Sequence, residues 1–521
     1  MRAAKKASFF YATIVAMGGL LFGIDAALIS GAIDLIAVDF GLTAAQKGTA
    51  VSAPALGVLL ALPFASFVSD RFGRKKAILS VAVLYIISAF ASAFATSYTM
   101  LVTARFLGGL AFTSISLASM YIGEIAPSKW RGKLVSMTQI NIVVGLSAAY
   151  FINYLIHHWA NSDAEWVTAA KIDTHTWQWM LGSEIPFAIL WFVLLLFIPE
   201  SPPWLVYRGR VEDAKLRLKK LQSEESIDAH VAEIQESLAK SSSDHSILSQ
   251  MKEVFGKRMR LTMIIAMTIA IAQQTTGINA ILFYAQTVFK QLGVGEDAAF
   301  SQAIWIGLVG LAFTVLGLLL VDKLGRRPLI IWGMVWIIAS LGLCAFAFKQ
   351  ARYTLPAETI SELVEIEDAE RLQPLVGVEF ANDIAFKTAV KEAIGEADAL
   401  SQLNFLVEKS IKMNAMLVLI GILSFVAAFH FSVGPVMWVL FSEIFPVSVR
   451  GAAIPFFTIV TSLTSWLVQM FFPWQLEHMG MTSIFLFYAG TVAAGLLILF
   501  FTLRETKNMS IEEIQDALAS K

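Results

Sequence analysis

The sequence predicts an all-α membrane protein with twelve transmembrane helices in two pseudo-symmetric bundles of six. Of its 521 residues, 57% are hydrophobic and 15% are charged, whereas a soluble protein carries about 25% charged residues. Apolar runs long enough to cross about 30 Å of hydrocarbon recur along the chain. The segment DRFGRK at 70–75 also returns as DKLGRR at 322–327. A long repeat in so apolar a chain indicates two similar bundles with a site between them.

The apolar runs lie in two sets on either side of a polar stretch. They cover 8–31, 49–69, 77–97, 100–122, 134–157, 178–198, 261–289, 300–321, 329–348, 414–440, 451–473 and 482–503. The predicted domains are an N-terminal bundle at 1–199, a linker of cytoplasmic helices at 200–258, a C-terminal bundle at 259–503 and a cytoplasmic tail at 504–521. An even number of spans places both termini on one side of the membrane.

The distribution of basic residues predicts which side that is. Segments on the side of the termini carry many lysines and arginines, whereas the short loops on the other side carry only Lys47, Lys171 and Lys290. Because lysine and arginine accumulate in cytoplasmic loops, both termini are predicted to be cytoplasmic.

The second half of the repeat carries an insertion at about 350–412, between spans nine and ten. In the predicted orientation it faces outward, and it is rich in acidic residues. A module that binds a partner or gates the substrate is one interpretation. We favour a helical cap or a tolerated loop, because insertions are common at exposed loops.

Residue types argue against several classes of protein. The single cysteine, Cys344, excludes an internal disulfide framework, and the seven histidines show no metal-ligand spacing. No nucleophile–base set is recognisable, so we expect a protein that is not an enzyme and has no cofactor. A net charge of −1 gives no signal for nucleic-acid binding. The chain is expected to be a monomer in the lipid bilayer.

Matched acidic and basic residues recur at the cytoplasmic ends of the spans. The groups are Asp70 with Arg71 and Arg74, Asp322 with Arg326 and Arg327, Glu124 with Arg131, and Glu443 with Arg450. Opposite charges there can tie helix ends together and release them, at about 1 kcal/mol or less per exposed pair. Basic residues alone are enough to set the membrane topology, so the acidic residues that accompany them need another explanation. We therefore interpret these groups as conformational latches.

Asp25 and Arg105 lie within apolar spans at similar depth. A charge inside the membrane is costly, so a functional role is the first hypothesis. Arginine stays protonated, which makes Asp25 the titrating member of the pair. The pair is interpreted as a proton-coupling site, with a static buried ion pair as the alternative.

Amide side chains form the second polar set. Span five contains Gln139, span seven contains Gln273, Gln274 and Asn279, and span ten contributes Trp438. Gly277 can break span seven and bring its amides together, as discontinuous helices do in transporters. Amides both donate and accept hydrogen bonds, and an indole packs against a sugar ring. A neutral polyhydroxyl ligand is therefore predicted.

At these residues the chain resembles the sugar porter family of the major facilitator superfamily. The motifs that carry the resemblance are the duplicated loops at 70–75 and 322–327, PESP at 199–202, QQ at 273–274, GIN at 277–279, GP at 434–435 with Trp438, and ETK at 505–507. The resemblance covers the chain except 350–412 and implies the major facilitator fold.

The resemblance is closest to bacterial proton-coupled xylose and hexose symporters. It implies that Asp25 and Arg105 couple protons, and that Gln139, Gln273, Gln274, Asn279 and Trp438 contact sugar. It further implies that Phe22 and Tyr284 line the cavity and that Glu200 and Glu505 belong to the latches.

Three positions in the second half of the predicted sugar site depart from these symporters. Thr461 and Ser462 replace a glutamine and a tryptophan, and Gly310 stands where an asparagine is frequent. The second-half site is therefore expected to be roomier and less aromatic. A hexose, a pentose and a cyclic polyol all remain open as substrates.

The predicted function is import of a monosaccharide by proton symport across a bacterial inner membrane. The alternatives are an uncoupled sugar facilitator, an inositol-type symporter and a non-transporting sugar sensor. A sensor is disfavoured because the tail after Arg504 is short and the large insertion faces outward.

Overall fold

The structure is a computed structural model. It describes residues 2–126, 130–221, 227–228, 231–232, 234–235, 247–362, 369–507, 509, 513–514 and 518. Among these residues it contains 12 helices that are long and apolar enough to cross a membrane. The predicted number of spans and the all-helical membrane fold are confirmed.

Eight spans are single helices and four are interrupted. The single helices are span 1 (Arg2–Phe40), span 2 (Ala44–Phe72), span 3 (Arg74–Ala93), span 5 (Arg131–Ala160), span 8 (Glu296–Leu324), span 9 (Arg326–Lys349), span 11 (Val447–His478) and span 12 (Gly480–Thr502). The interrupted ones are span 4 (Tyr98–Ala111 and Ser114–Ile125), span 6 (Thr176–Gly182 and Glu184–Leu195), span 7 (Arg260–Gln274, Ile278–Phe283 and Ala285–Lys290) and span 10 (Ala415–Phe431 and Val433–Ile444).

Spans 1–6 and 7–12 form two bundles that meet along two seams. Span 2 packs against span 11, and span 5 packs against span 8. Small residues permit the close approach, since a Cβ atom on Gly48 would lie 2.1 Å from the carbonyl oxygen of Met470. We call the side of the chain termini the terminal face and the opposite side, which carries the insertion, the insertion face.

The insertion is a compact unit with its own core. Strands β1 (Arg352–Thr354), β2 (Glu379–Phe380) and β3 (Ile411–Lys412) form an antiparallel sheet in the order β2-β1-β3. Its helices are Ala357–Glu362, the 3-10 helix Ala369–Leu375, Asp383–Ile394 and Glu396–Ser410. Tyr353, Phe386 and Leu406 are buried between sheet and helices. The expected helical cap is thus an α+β unit, whose strands are too short to give a recognisable alternating pattern.

Short helices follow span 6 on the terminal face. They are Pro202–Tyr207, Val211–Leu221, Ile247–Val254 and the 3-10 helix Lys257–Met259. Ala214 and Leu218 are buried in a small core with Leu205. The amphipathic pattern of this segment therefore reflects packing beneath the N-terminal bundle, where Val211–Leu221 contacts span 1.

Candidate functional site

A cavity of about 300 Å³ lies between the two bundles. Its polar lining comes from both halves and consists of Asp25, Arg105, Ser116, Gln139, Gln273, Gln274, Asn279, His430, Thr458, Thr461, Ser462, Ser465 and Gln469. Five of the predicted sugar contacts, Gln139, Gln273, Gln274, Asn279 and Trp438, therefore line one space with the predicted proton pair.

A break in span 7 places the amides of this span together. Gly277 has φ 82°, a left-handed conformation, and separates Arg260–Gln274 from Ile278–Phe283. The side chain of Tyr488 packs so close that a Cβ atom at Gly277 would lie 2.8 Å from its ring. Glycine is thus required here by both conformation and space. The predicted break at Gly277 is confirmed.

The amides form a continuous hydrogen-bond chain across the break. Asn279 Nδ2 donates to Gln274 Oε1 at 2.8 Å, and Gln274 Nε2 donates to Gln273 Oε1 at 2.7 Å. Asn279 Nδ2 also donates to Ser465 Oγ at 2.7 Å, which joins span 7 to span 11. Gln469 Nε2 donates to the same hydroxyl at 2.8 Å. A polyhydroxyl ligand could exchange hydrogen bonds with every member of this chain.

Aromatic side chains provide apolar walls beside the amides. Trp438 is 41% exposed, and its indole borders the cavity. Phe22 also lines the cavity and packs edge-on against Phe112, with the ring centroids 4.5 Å apart. A sugar ring has apolar faces that suit such walls.

Tyr284 does not lie where the resemblance places it. It is 1% exposed, its hydroxyl donates to the carbonyl of Gln469 at 3.1 Å, and it is absent from the cavity wall. Span 7 breaks a second time at Tyr284 itself, which turns this ring toward Phe472 of span 11. Phe283 lines the cavity instead.

Asp25 and Arg105 form the buried ion pair expected from the sequence. Arg105 Nη1 lies 3.4 Å from Asp25 Oδ1, and the two residues are 1% and 7% exposed. Asp25 Oδ2 is buried and accepts no hydrogen bond within the described part of the chain. One carboxylate oxygen of Asp25 is thus paired with Arg105, whereas the other has no hydrogen-bond donor among the described residues.

Glu184 is a second buried carboxyl group beside this pair, and it is not among the residues predicted from the sequence. It is 4% exposed, begins the second helix of span 6 and interacts electrostatically with both Asp25 and Arg105. Its Oε1 atom has no hydrogen-bond partner among the described residues. The sequence could have identified Glu184, because it is an acidic residue inside the predicted span 178–198, as Asp25 is inside span 1.

His430 is another cavity residue absent from the predictions. Its Nδ1 lies 3.0 Å from Thr314 Oγ1, and Thr314 is fully buried. Hydroxyls such as those of Thr458 and Thr461 donate to a carbonyl in the preceding helical turn, but Thr314 has its hydrogen bond with the imidazole. If Thr314 donates to Nδ1, then Nε2 carries the proton and presents a donor to the cavity.

The His430 ring also explains a departure noted in the sequence. A Cβ atom on Gly310 would lie 3.3 Å from both Cδ2 and Nε2 of the imidazole. The space left by the missing side chain on span 8 is therefore bordered by a histidine from span 10. A polar group therefore remains at this part of the site, supplied by span 10 instead of span 8.

The first latch links spans 2, 3 and 4 on the terminal face. Arg74 lies 2.7 Å from Asp70 and 2.9 Å from Glu124, and so bridges both acids. Glu124 also accepts a hydrogen bond from Ser201. Glu200 accepts from the backbone N–H of Lys75 at 3.0 Å and so caps span 3.

The second latch repeats this arrangement in the C-terminal bundle. Arg326 lies 2.9 Å from Asp322 and 2.8 Å from Glu443. Glu443 accepts from Thr506 at 2.5 Å, and Glu505 accepts from the backbone N–H of Arg326 at 2.9 Å. The duplicated sequence thus builds the same ion-pair geometry twice.

Other predicted latch pairings are not formed. Arg327 donates to the carbonyl of Phe500 rather than to Asp322, and Arg450 donates to the carbonyl of Phe445 rather than to Glu443. In both cases Arg326 forms the ion pair with the acid, Asp322 or Glu443. Arg71 has an exposed side chain, and its predicted partner Asp70 pairs with Arg74 instead. The side chain of Arg131 lies outside the described residues.

The cavity is closed on the insertion face. There the two bundles are joined by Tyr150, whose hydroxyl donates to the carbonyl of Leu282 at 2.6 Å, and by Thr287, which donates to Asp34 at 3.0 Å. Toward the terminal face the cavity continues between Val58 and Leu62 of span 2 and Thr458 of span 11.

Comparison with known proteins agrees with this architecture. A family model described as "Sugar (and other) transporter" matches residues 11–360 and 399–518. The arabinose-proton symporter of Bacillus subtilis (strain 168) is 30% identical over 501 residues, which cover 96% of this chain and 92% of that protein. The D-xylose-proton symporter of Escherichia coli (strain K12) is 31% identical over 543 residues, covering 97% and 95%.

Solved structures give the same result. The inward open conformation of the xylose transporter XylE from E. coli superposes with a TM-score of 0.73 at 27% identity, covering 98% of this chain and 99% of that one. XylE bound to 6-bromo-6-deoxy-D-glucose superposes with a TM-score of 0.68 at 29% identity, covering 98% and 99%.

Proposed function

We propose that this chain, which belongs to the sugar transporter family of the major facilitator superfamily, imports a monosaccharide together with a proton by alternating access. The observation that carries the proposal is the position of the buried Asp25–Arg105 pair in the wall of the amide-lined cavity. A titratable carboxylate and a neutral polyhydroxyl site thus share one space between two bundles that can rock against each other.

The proton would act through the attraction between Asp25 and Arg105. Protonation neutralises Asp25 and removes its hold on the guanidinium, which leaves spans 1 and 4 freer to move. Loss of the proton restores the pair. Because the pair lines the sugar cavity, sugar binding and proton binding can favour the same conformation, which is the requirement for coupling.

The proposed substrate is a single sugar ring, either a hexose or a pentose. A cavity of about 300 Å³ is at the small end of the range for ligand sites, and its amides, hydroxyls and indole suit a neutral polyhydroxyl molecule. A cyclic polyol is the second candidate, because Thr461 and Ser462 line the cavity with smaller side chains than the glutamine and tryptophan of the symporters that this chain resembles.

The proposed location is a bacterial cell membrane with both termini in the cytoplasm. The bacterial relatives support the kind of membrane, and the excess of lysine and arginine on the terminal face supports the orientation. The cavity in this conformation would then open toward the cytoplasm.

Transport by purified protein in liposomes tests the proposal. Labelled xylose, arabinose, glucose and myo-inositol are offered with and without an inward proton gradient. We expect one of them to accumulate above equilibrium only when the gradient is present. Uptake that equilibrates but never concentrates would identify a facilitator, and binding without counterflow exchange would identify a sensor.

A further inference from the structure

A second cavity, of about 730 Å³, lies at the edge of the N-terminal bundle on the insertion face. It is bordered by the ends of spans 1 and 3, the loop before span 6 and the first helix of span 6. None of the described residues lines both this cavity and the central one. Its volume is within the range of small-molecule sites, so it is large enough to hold a ligand of its own.

This cavity faces the lipid rather than the seam between the bundles. Phe90 and Phe94 at the end of span 3 and Ile189 on span 6 are large apolar side chains that are exposed, and such surfaces of a transmembrane helix contact lipid tails. Phe94 itself lines the cavity, together with the exposed indole of Trp179. Because tryptophan is enriched where the membrane meets water, the cavity is placed at the level of the lipid headgroups, with hydrocarbon beside it.

Polar groups in the wall of this cavity lack partners of their own. Gln178 Oε1 is buried and accepts no hydrogen bond from the described residues. Asp39 accepts from the indole N–H of Trp177 at 2.5 Å. Neither Asp39 nor Lys171 pairs with an opposite charge in the part of the chain that the structure describes. The wall thus presents two acceptors and one cation that a ligand can satisfy.

Lys171 is held in the cavity wall by an unusual backbone. Its φ of 55° is in the left-handed region, and among the described residues no other non-glycine residue has a positive φ. The turn is fixed on both sides, because Trp179 Nε1 donates to the carbonyl of Ala170 at 3.2 Å and the backbone N–H of His175 donates to that of Lys171 at 3.0 Å. Such backbone conformations persist where the surrounding structure determines them. A fixed turn therefore carries the cation of this cavity.

These features together fit an amphiphile. The apolar wall at Phe94 and Ile185 suits acyl chains, and the ammonium of Lys171 suits a phosphate. Asp39 and Gln178 need a group that donates hydrogen bonds. An ethanolamine headgroup ends in a primary ammonium with three N–H donors, whereas the quaternary ammonium of choline has none. A headgroup with only negative charge would be repelled by the Asp39 carboxylate.

We propose that this cavity binds one phosphatidylethanolamine molecule from the membrane leaflet on the insertion face. The ammonium of the lipid lies between Asp39 and Gln178, its phosphate lies at Lys171, and its acyl chains follow Phe94. The lipid would join the ends of spans 1, 3 and 6 at a site separate from the central cavity. Binding at this site requires neither sugar nor a proton gradient.

Native mass spectrometry of the full chain tests the proposal. The purified protein is exchanged into detergent that carries equal amounts of phosphatidylethanolamine, phosphatidylcholine and phosphatidylglycerol with identical acyl chains, and the lipid retained by each protein molecule is identified by its mass. We expect one phosphatidylethanolamine to be retained over phosphatidylcholine by roughly fivefold, as an exposed charged acceptor allows. Equal retention of the three lipids, or a preference for either of the other two, would overturn the proposal.

Two substitutions separate the contacts of the headgroup. Asp39→Asn should reduce the preference for ethanolamine over choline to roughly twofold, because a hydrogen bond to a neutral acceptor is about half as strong. Lys171→Gln should lower the retention of both lipids and leave their ratio unchanged, because both carry the phosphate.

Asp163→Asn and Lys349→Gln are the matched controls, because they remove the same charges elsewhere on the insertion face. All four side chains are exposed, so these variants should fold, and the two controls should bind lipid as the wild type does. A preference that survives intact in Asp39→Asn, or full retention of both lipids in Lys171→Gln, would overturn the assignment of the headgroup to this cavity.

Discussion

Arg105 of span 4 lies 3.4 Å from Asp25 of span 1 while its Nε donates to the carbonyl of Ala50 in span 2 at 2.9 Å. One guanidinium therefore joins three spans of the N-terminal bundle. Both charged residues are almost fully buried, so removing either charge leaves the other without its partner. The pair is placed to influence both the packing of this bundle and the movement of a proton.

Replacing Asp25 with asparagine should separate coupling from sugar movement. The variant keeps the side-chain shape but cannot be charged, so we expect loss of accumulation driven by an inward proton gradient. Exchange of sugar without a gradient should persist. Labelled sugar uptake and counterflow in liposomes measure the two activities.

Asp39→Asn is the matched control for Asp25. Asp39 lies in the same span, but it accepts from the indole of Trp177 at 2.5 Å and does not line the central cavity. Accumulation should survive this change. Gradient-driven accumulation that survives in Asp25→Asn would show that the proton site lies elsewhere.

His430 offers a test of sugar recognition that leaves coupling intact. We expect His430→Ala to raise the KM for the favoured sugar by about fivefold, as loss of one hydrogen bond worth about 1 kcal/mol requires. The proton-to-sugar ratio should not change, because His430 lies on span 10 in the other bundle from Asp25. Initial uptake rates across sugar concentrations provide the measurement.

Thr314→Val complements this test, because it removes the bond to Nδ1 and keeps the imidazole in the cavity wall. We expect a smaller rise in KM, since the ring is no longer fixed in one tautomer. A KM unchanged in both variants would contradict a role for His430 in sugar binding.

Repeated motifs were the part of this molecule most open to sequence reasoning. The duplicated loops identify Asp70, Arg74, Asp322 and Arg326, and the structure builds each group into the same bridge. The break at Gly277 also follows from sequence, because only glycine adopts its left-handed backbone without strain. These features depend on local chemistry, which a single sequence contains.

Partners chosen by the tertiary fold could not be derived in this way. Spacing suggests Arg450 for Glu443, but Arg326 and Thr506 arrive from distant segments and occupy that carboxylate. The resemblance implies that Tyr284 lines the cavity, yet a second helix break at its own position turns it away. The Ser465 hydroxyl and the His430 ring become site residues only once span 11 and span 10 are placed beside span 7.

The two capping glutamates should contribute similarly to stability. Glu505 accepts from the backbone N–H groups of Arg326 and Arg327, and Glu200 accepts from that of Lys75. Loss of such a cap costs about 0.5–2 kcal/mol. We therefore expect Glu505→Ala and Glu200→Ala, which remove the accepting oxygens, to lower the thermal midpoint of detergent-solubilised protein by comparable amounts.

Glu379→Ala serves as the control for both caps, because Glu379 lies in the insertion and its side chain pairs with the exposed Arg352. Its midpoint should match that of the wild type. If one capping variant lowers the thermal midpoint strongly and the other does not, the two caps do not contribute equally to stability although their geometry is the same.

Glu408 should make docking of the insertion onto span 8 depend on pH. Burial raises the pKa of Glu408 above its ordinary value of 4.5, and the charge of Glu296 raises it further. Docking is therefore strongest below pH 4.5, where the carboxyl is neutral whether docked or free, and weakens as pH rises through the raised pKa. Glu408→Gln should remove this weakening.

Hydrogen exchange of the helix Glu396–Ser410, corrected for the intrinsic effect of pH on exchange, measures the docking. We expect protection in the wild type to fall between pH 4.5 and pH 7.5, and Glu408→Gln to be more protected than the wild type at pH 7.5 only. The helix Glu396–Ser410 packs closely against the loop before span 8, since a Cβ atom on Gly293 would lie 2.9 Å from the Glu408 carbonyl oxygen. Equal protection of the two proteins at pH 7.5 would mean that the Glu408 charge does not oppose docking.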